Sequence, residues 1–206
     1  MPSLRHENEL RAQGFTRIAG VDEVGRGPLA GPVCAAAAVL PTKFRHKVLN
    51  DSKQLTERQR EEIHAELTSH PDILWCCVLV EVEEIDRINI LQATHVAMRR
   101  ALEGLACEAD AVLIDGLPVP RIPGHQRALV KGDSLSFSIA AASVIAKVTR
   151  DRLMRELAMQ YPMYGFDQHK GYGTPRHLEA LRLHGPCPLH RRSFSPVAQL
   201  TLELGI

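Results

Sequence analysis

The chain has 206 residues, 45% of them apolar and 24% charged, with a formal net charge of +1. That length can hold one domain with a sizeable core, and that composition excludes gross disorder. No run is long and apolar enough to span a bilayer and the first residues lack the apolar segment of a signal peptide, so a cytoplasmic location is expected.

The charge is unevenly spread. Residues 121–206 carry 12 Lys/Arg and 6 Asp/Glu, whereas residues 1–120 carry 13 and 18. An acidic site beside a basic half suits a polyanionic substrate held through metal, although charges scattered over a surface would give the same totals. The five cysteines are odd in number and match no zinc spacing, so buried free thiols are expected.

In chain order, the first apolar run starts at Ile18 and closes on two adjacent acids, Asp22 and Glu23. Gly25-Arg26-Gly27 follows, then two Gly/Pro pairs, then a second apolar run from Val33 to Leu40. This reads as strand, sharp turn, strand. Acids at the end of a buried strand are costly unless a cation compensates them, and a Gly-Arg-Gly turn lets backbone amides and one guanidinium approach a ligand. Neighbouring strand residues face opposite sides, so Asp22 and Glu23 share one site only if the strand ends, bulges or bends there; Gly25 suits such a break. Solvated acids at a plain turn are the simpler reading. Gly25-x-Gly27-x-x-Ala30 also fits a loose dinucleotide fingerprint, but Pro32 and a strand-like run follow where that fingerprint needs a helix, and the two acids would repel a pyrophosphate.

Thr56 and Gln59 form the pattern of a capping box and open a helix to about Ser69. Lys53 precedes it, within reach of a phosphate or simply on the surface. Asp72 to Val82 reads as a buried strand, and residues 83–87 as a short helical turn. Asn89 caps a helix with an apolar stripe from Ile90 to Leu105; His95 on it is assigned no chemistry. Asp110 to Asp115 repeats the opening pattern, a short buried strand that stops at a carboxylate, though Asp115-Gly116 is also a common turn pair. A Pro-rich loop spans Leu117 to His125, and Arg127 to Val130 is another short apolar piece. Asp133 lies near the start of an Ala-rich, largely buried helix that turns amphipathic past Arg150, and there it is either an N-cap or a further metal carboxylate. The tail holds a loop rich in glycine, aromatics and cations, Phe166 to Thr174, in which Tyr172 can pack on a sugar or base or merely cover the core. Thr174-Pro175 then starts a short helix. Gln199 to Leu202 resembles a sliding-clamp box but lacks its aromatic pair.

The four acids at strand ends or a helix start, Asp22, Glu23, Asp115 and Asp133, form a pattern that suits Mg²⁺ or Mn²⁺, which prefer oxygen ligands. Two such ions can activate a water and stabilise a leaving oxygen in phosphodiester hydrolysis.

With those motifs in order, the chain resembles the ribonuclease HII family, the bacterial type 2 ribonucleases H. The matching segments are Ala19-Gly-Val-Asp-Glu-Val-Gly-Arg-Gly-Pro-Leu-Ala-Gly-Pro32, Asn50-Asp-Ser-Lys-Gln-Leu55, Asn89-Ile-Leu-Gln-Ala-Thr94, Leu113-Ile-Asp-Gly116, Lys131-Gly-Asp-Ser134, Ala140 to Asp151, His169-Lys-Gly-Tyr-Gly-Thr174 and His190-Arg-Arg-Ser-Phe194. The resemblance implies an α/β ribonuclease H-like fold, a central mixed β-sheet flanked by helices with a C-terminal helical part. Residues 1–160 would be the catalytic core and 161–206 a substrate-contacting region of the same domain. It implies a monomeric endoribonuclease with two divalent ions, Mn²⁺ or Mg²⁺, that cuts RNA in RNA–DNA hybrids and on the 5′ side of single ribonucleotides in duplex DNA. The products would carry 3′-hydroxyl and 5′-phosphate ends. Asp22, Glu23, Asp115 and Asp133 fall on the family's metal-binding acids. Gly25, Arg26 and Gly27 fall on the loop that senses the 2′-hydroxyl at the RNA-to-DNA junction, and Tyr172 on the tyrosine that packs against the adjoining deoxyribose. Lys53 falls in a backbone-contacting segment, where Gln54 replaces a lysine often seen. A non-catalytic nucleic-acid-binding module and a nucleotide-cofactor enzyme stand as alternatives. The type 3 enzyme is a nearer rival, whose usual extra N-terminal domain would find no room before Ile18.

Overall fold

A computed structural model describes residues 1–204; residues 205 and 206, the end of the expected C-terminal part, lie outside the described residues. Five strands, β1 (Ile18–Val24), β2 (Val33–Val39), β3 (Leu74–Val80), β4 (Ala111–Asp115) and β5 (His125–Leu129), form one sheet in the order β3-β2-β1-β4-β5. The β1–β2 and β2–β3 pairs are antiparallel, and β1–β4 and β4–β5 are parallel, giving the mixed sheet that was expected. The helices are α1 (Arg5–Ala12), α2 (Glu57–Ser69), α3 (Val82–Ile88), α4 (Ile90–Glu103), α5 (Phe137–Gln160), α6 (Phe166–His169), α7 (Pro175–His184) and α8 (Ser195–Leu204). Among the described residues no helix is long and apolar enough to cross a membrane.

Small residues on the central strands explain how helices cover both faces so closely. Cys34, Ala36 and Ala38 of β2 pack with α2 and α5 residues such as Leu67, Ala141 and Ile145. The alternate set, Val33, Ala35 and Ala37, packs with Ala97, Met98 and Ala101 of α4. This is the period-two alternation of a strand buried on both sides. Gly20 of β1 is the tightest point. A β-carbon there would sit 2.1 Å from the carbonyl carbon of Ser138 and 2.3 Å from the amide of Ile139, so only glycine lets α5 cross β1 at this depth.

The helix ends follow local rules. Thr56 and Gln59 make the full capping box (Thr56 N–H to Gln59 Oε1 2.9 Å; Gln59 N–H to Thr56 Oγ1 3.3 Å). Asn89, at φ +67°, ends α3 and caps α4 by accepting from the Gln92 amide at 3.1 Å. Thr174 caps α7 with Pro175 in its first turn. The N-terminus of α5 is capped from a distance. Ser136 is its N-cap, and Glu7 of α1, fully buried, accepts from the Ser136 hydroxyl at 2.7 Å and the Ser138 amide at 2.9 Å. Asp133 is therefore not the N-cap; it lies in a separate 3₁₀ turn, Gly132–Ser134.

Three further expectations change. Residues 125–129 form a full edge strand where only a short apolar piece was read, because β4 offers them a parallel partner. The loop from Phe166 to Thr174 contains the single turn α6. All five cysteines are free, but only Cys34 is fully buried; the other four sit nearer the surface.

Candidate active site

Strand register brings the first two acids together. Val21 pairs with Ile114 across the parallel β1–β4 ladder, so the next residue of each strand, Asp22 and Asp115, lie side by side. The expected break at the acid pair does not occur. β1 stays paired with β2 through Glu23↔Ala35 and Val24↔Cys34, and turns only at Gly25. Alternation is kept, and both acids reach one hollow for another reason: β1 outruns its ladder with β4, leaving them at an open corner of the sheet. Asp22 is 5% exposed and lies against Ser143 of α5. Glu23 faces the other way, with its Oε1 3.3 Å from Arg26 Nη1. Both acids line a hollow of ≈ 200 Å³ with Lys53, Ser143, Lys147 and Tyr172. Glu23 also lines a second hollow of ≈ 380 Å³ with Asp115, Arg26 and His95.

The turn carrying Asp133 is tied to the end of β4 by the Gly132 amide, which donates to Asp115 Oδ1 at 2.6 Å. Three of the four acids, Asp22, Glu23 and Asp133, have raised proton affinities. Burial, then the charges of Glu23 and Asp115, pushes Asp22 well above the usual carboxylate range. Burial also raises Glu23, against the pull of Arg26. Burial, then Asp115 and Asp51, pushes Asp133 up to about 6.

Asp51 is a fifth acid that the sequence reading passed over. Its carboxyl reaches that of Asp133, and it caps the 3₁₀ turn Ser52–Gln54 by accepting from the Lys53 amide at 2.9 Å. Ser52 of the same turn accepts from the Ser143 hydroxyl at 3.0 Å, so Asp22, Ser143 and Ser52 form one polar chain. Lys53 faces this cluster. Burial lowers its pKa, but Asp22, Asp51, Asp133 and Asp115 together outweigh that and hold the ammonium above its ordinary value. The signal for these residues was the Asn-Asp-Ser-Lys turn; what could not be read was that the turn folds onto the strand ends.

The Gly25-Arg26-Gly27 turn and the stretch that follows it are held by two buried arginines. Arg191 donates to the carbonyls of Gly25 (2.6 Å), Arg26 (3.0 Å) and Gly31 (2.7 and 2.9 Å). Arg150 donates to those of Ala30 (3.1 Å), Pro32 (2.9 Å) and Lys170 (3.0 Å). In a trans peptide the carbonyl and the following N–H point in opposite directions. Fixing the Gly25 and Arg26 carbonyls on Arg191 therefore turns the amides of Arg26 and Gly27 away from it. Gly25 has φ +90°, and a β-carbon there would lie 2.3 Å from Arg150 Nε, so this packing requires glycine. Tyr172 completes the rim: a β-carbon at Gly27 would be 3.5 Å from its ring. The turn leads into β2 rather than into a helix, which excludes the dinucleotide fingerprint.

Among the described residues no three His, Cys, Asp or Glu side chains stand close enough to enclose one ion as they are. The donor set nevertheless fits a hard divalent cation. It is all oxygen, and the raised proton affinities of Asp22, Glu23 and Asp133 express burial first and then crowded negative charge, both of which a cation would relieve.

The family model described as Ribonuclease HII matches residues 19–197. The chain belongs to the ribonuclease HII family. It is 58% identical over 194 residues to ribonuclease HII of Xanthomonas oryzae, covering 93% of this chain and 76% of that protein. It is 55% identical over 196 residues to ribonuclease HII of Myxococcus xanthus, covering 95% and 67%. The crystal structure of ribonuclease H2 from Pyrococcus horikoshii is similar at a TM-score of 0.78 with 30% identity, covering 92% of this chain and 99% of that one. As a member of the ribonuclease HII family the chain is an enzyme, an endoribonuclease of a family that acts on RNA paired with DNA and uses divalent metal ions. The binding-module, cofactor-enzyme and type 3 readings are thereby set aside.

Proposed function

We propose that the chain hydrolyses the RNA strand of RNA–DNA hybrids and cuts duplex DNA on the 5′ side of a single embedded ribonucleotide, leaving 3′-hydroxyl and 5′-phosphate ends. Asp22, Glu23, Asp115 and Asp133 would hold two Mg²⁺ or Mn²⁺ ions. The observation that carries this reading is the pairing of Asp22 beside Asp115 at a sheet corner, with Glu23 and Asp133 adjoining and Tyr172 on the opposite rim.

When bound, the ions supply an activated water and charge stabilisation for the leaving oxygen, so no Ser or Cys nucleophile is needed. The chain's own groups do the rest. The carboxylates of β1 and β4 are fixed by sheet register and the Gly132 bond, so they need little reorganisation. Lys53, at the mouth, meets a backbone phosphate. The outward amides of the Gly25-Arg26-Gly27 turn meet the 2′-hydroxyl, the group that separates RNA from DNA at one nucleotide. The Tyr172 ring stacks on the next sugar and disfavours a second 2′-hydroxyl there. The region after residue 160 contributes this substrate contact, in keeping with its basic balance.

Tyr172→Ala tests the junction role. It is expected to lower kcat/KM on a DNA duplex with one ribonucleotide at least about tenfold more than on a continuous hybrid. An unchanged ratio in a folded variant rejects it.

The raised acids also set a pH dependence. A metal site must shed its protons before it binds. Since Asp133 holds its proton up to about 6, apparent Mg²⁺ affinity should weaken as the pH falls past that value. It should fall roughly tenfold per unit below it, and more steeply where Asp22 also holds a proton. The ion-dependent rise in Tm, titrated from neutral to acid pH, reads this directly; a rise that does not weaken in acid contradicts it.

A further inference from the structure

The side chain of Tyr172 is 43% exposed, and among the described residues nothing hydrogen-bonds its hydroxyl. Its backbone is held by three hydrogen bonds. The Tyr172 amide donates to the His169 carbonyl at 2.9 Å, and its carbonyl accepts from the Thr174 amide at 2.8 Å and from His177 Nδ1 at 2.9 Å. His177 is fully buried, and its Nε2 lies 3.1 Å from Nε2 of His190, itself 1% exposed. On the far side, His190 Nδ1 accepts from the Cys187 amide at 3.0 Å, with the Cys187 thiol at 3.1 Å.

These partners fix the protons. His190 Nδ1 faces a donor, so its neutral ring carries the hydrogen on Nε2. His177 Nδ1 faces a carbonyl, so it carries the hydrogen there and leaves Nε2 as acceptor. One directed chain results: Cys187 N–H to His190, His190 to His177, His177 to the Tyr172 carbonyl. The rings are also caged, with His169 stacked on His177 at 4.5 Å and Phe166 edge-on at 5.5 Å. Burial, then the facing His177, brings the His190 pKa down to about 4, which keeps it neutral at working pH.

The same segment holds the other half of the rim. Arg191, next to His190, grips the carbonyls of Gly25 and Arg26, and its amide donates to the Leu29 carbonyl at 2.8 Å; Ala30 and His190 form an antiparallel bridge. Two consecutive residues thus reach in different directions, one to the Gly25–Gly27 turn and one, through His177, to Tyr172. We propose that His177, fixed by His190, is a positioning residue that sets Tyr172 against the Gly25–Gly27 turn and thereby sets the preference for an RNA–DNA junction over continuous RNA. This rests on the junction reading of Tyr172 given above.

Two polar substitutions separate positioning from support. An Asn amide can occupy the place of Nδ1 and still donate to the Tyr172 carbonyl, whereas a Gln amide reaches the place of Nε2 and His190. The readout is the ratio of kcat/KM on a single-ribonucleotide duplex to that on a continuous hybrid. His177→Gln is expected to lower this ratio by about tenfold, and His177→Asn to keep it within about threefold of wild type. Equal ratios in the two variants overturn the proposal, and so does failure of both to fold, since the pair would then be a strut of the core. Tyr172→Ala, measured alongside, separates the two levels. If it leaves the ratio unchanged, the junction reading of Tyr172 is wrong; if it lowers the ratio while His177→Gln does not, only the positioning role of His177 is wrong.

Discussion

Asp115→Asn is expected to lower cleavage by at least roughly 10²–10³-fold on every substrate while leaving the fold intact. The asparagine oxygen still accepts from the Gly132 amide, so the bond that ties the Asp133 turn to the end of β4 survives. What is lost is one negative charge beside Asp22, Glu23 and Asp133, all of which feel it. Without divalent ions that loss relieves repulsion, so the variant should be more stable than wild type by about 1 kcal/mol in chelator. It should also gain less Tm from Mg²⁺. Activity and metal-free stability moving in opposite directions is the signature of a charge kept for binding rather than for folding. Turnover at the wild-type level by the folded variant would contradict the metal role.

Arg191→Lys should be the most destabilising conservative change near the site. The guanidinium is fully buried, makes four bonds to three carbonyls and lies 5.0 Å above the Phe194 ring. A lysine has one ammonium and cannot span Gly25, Arg26 and Gly31 together. Carbonyls left without partners in the interior, with a buried charge poorly matched, imply a loss of about 3–5 kcal/mol, measurable by urea unfolding at neutral pH. Cleavage of single-ribonucleotide duplex and of continuous hybrid should fall together, because the whole turn is released. That distinguishes this change from Tyr172→Ala. Stability within about 1 kcal/mol of wild type would show that the turn holds itself.

Much of this architecture is written locally. The capping box at Thr56, the Asn89 cap, the Pro175 helix start and the strand that ends on Asp115 all follow from short-range chemistry, and the structure bears them out. Asp22 and Asp115 could be read because each follows an apolar run; Asp133, near a helix start, could not be told from a cap. Arg150 and Arg191 could not be read. Their partners are backbone carbonyls 20 to 166 residues away, and a carbonyl leaves no mark in a sequence. Glu7 was missed likewise, since its partners at the start of α5 lie 129 and 131 residues on. The expected break between Asp22 and Glu23 failed for a geometric reason: it was enough that β1 outlast its pairing with β4, and pairing lengths are set by the neighbouring strand. Asp51 lies in the segment Asn50 to Leu55, and its place beside Asp133 comes from where that turn lands.

In the proposed site an acid cluster that holds metal meets a rim that senses one 2′-hydroxyl. The measurement that tests both is cleavage of a DNA duplex carrying a single ribonucleotide, with Mg²⁺, with Mn²⁺ and with chelator. A cut is expected on the 5′ side of that ribonucleotide, dependent on the metal and leaving 3′-hydroxyl and 5′-phosphate ends. Cleavage of long hybrids alone would contradict the sensing role of Gly25, Arg26, Gly27 and Tyr172, and cleavage that persists in chelator would contradict the metal role of the acids.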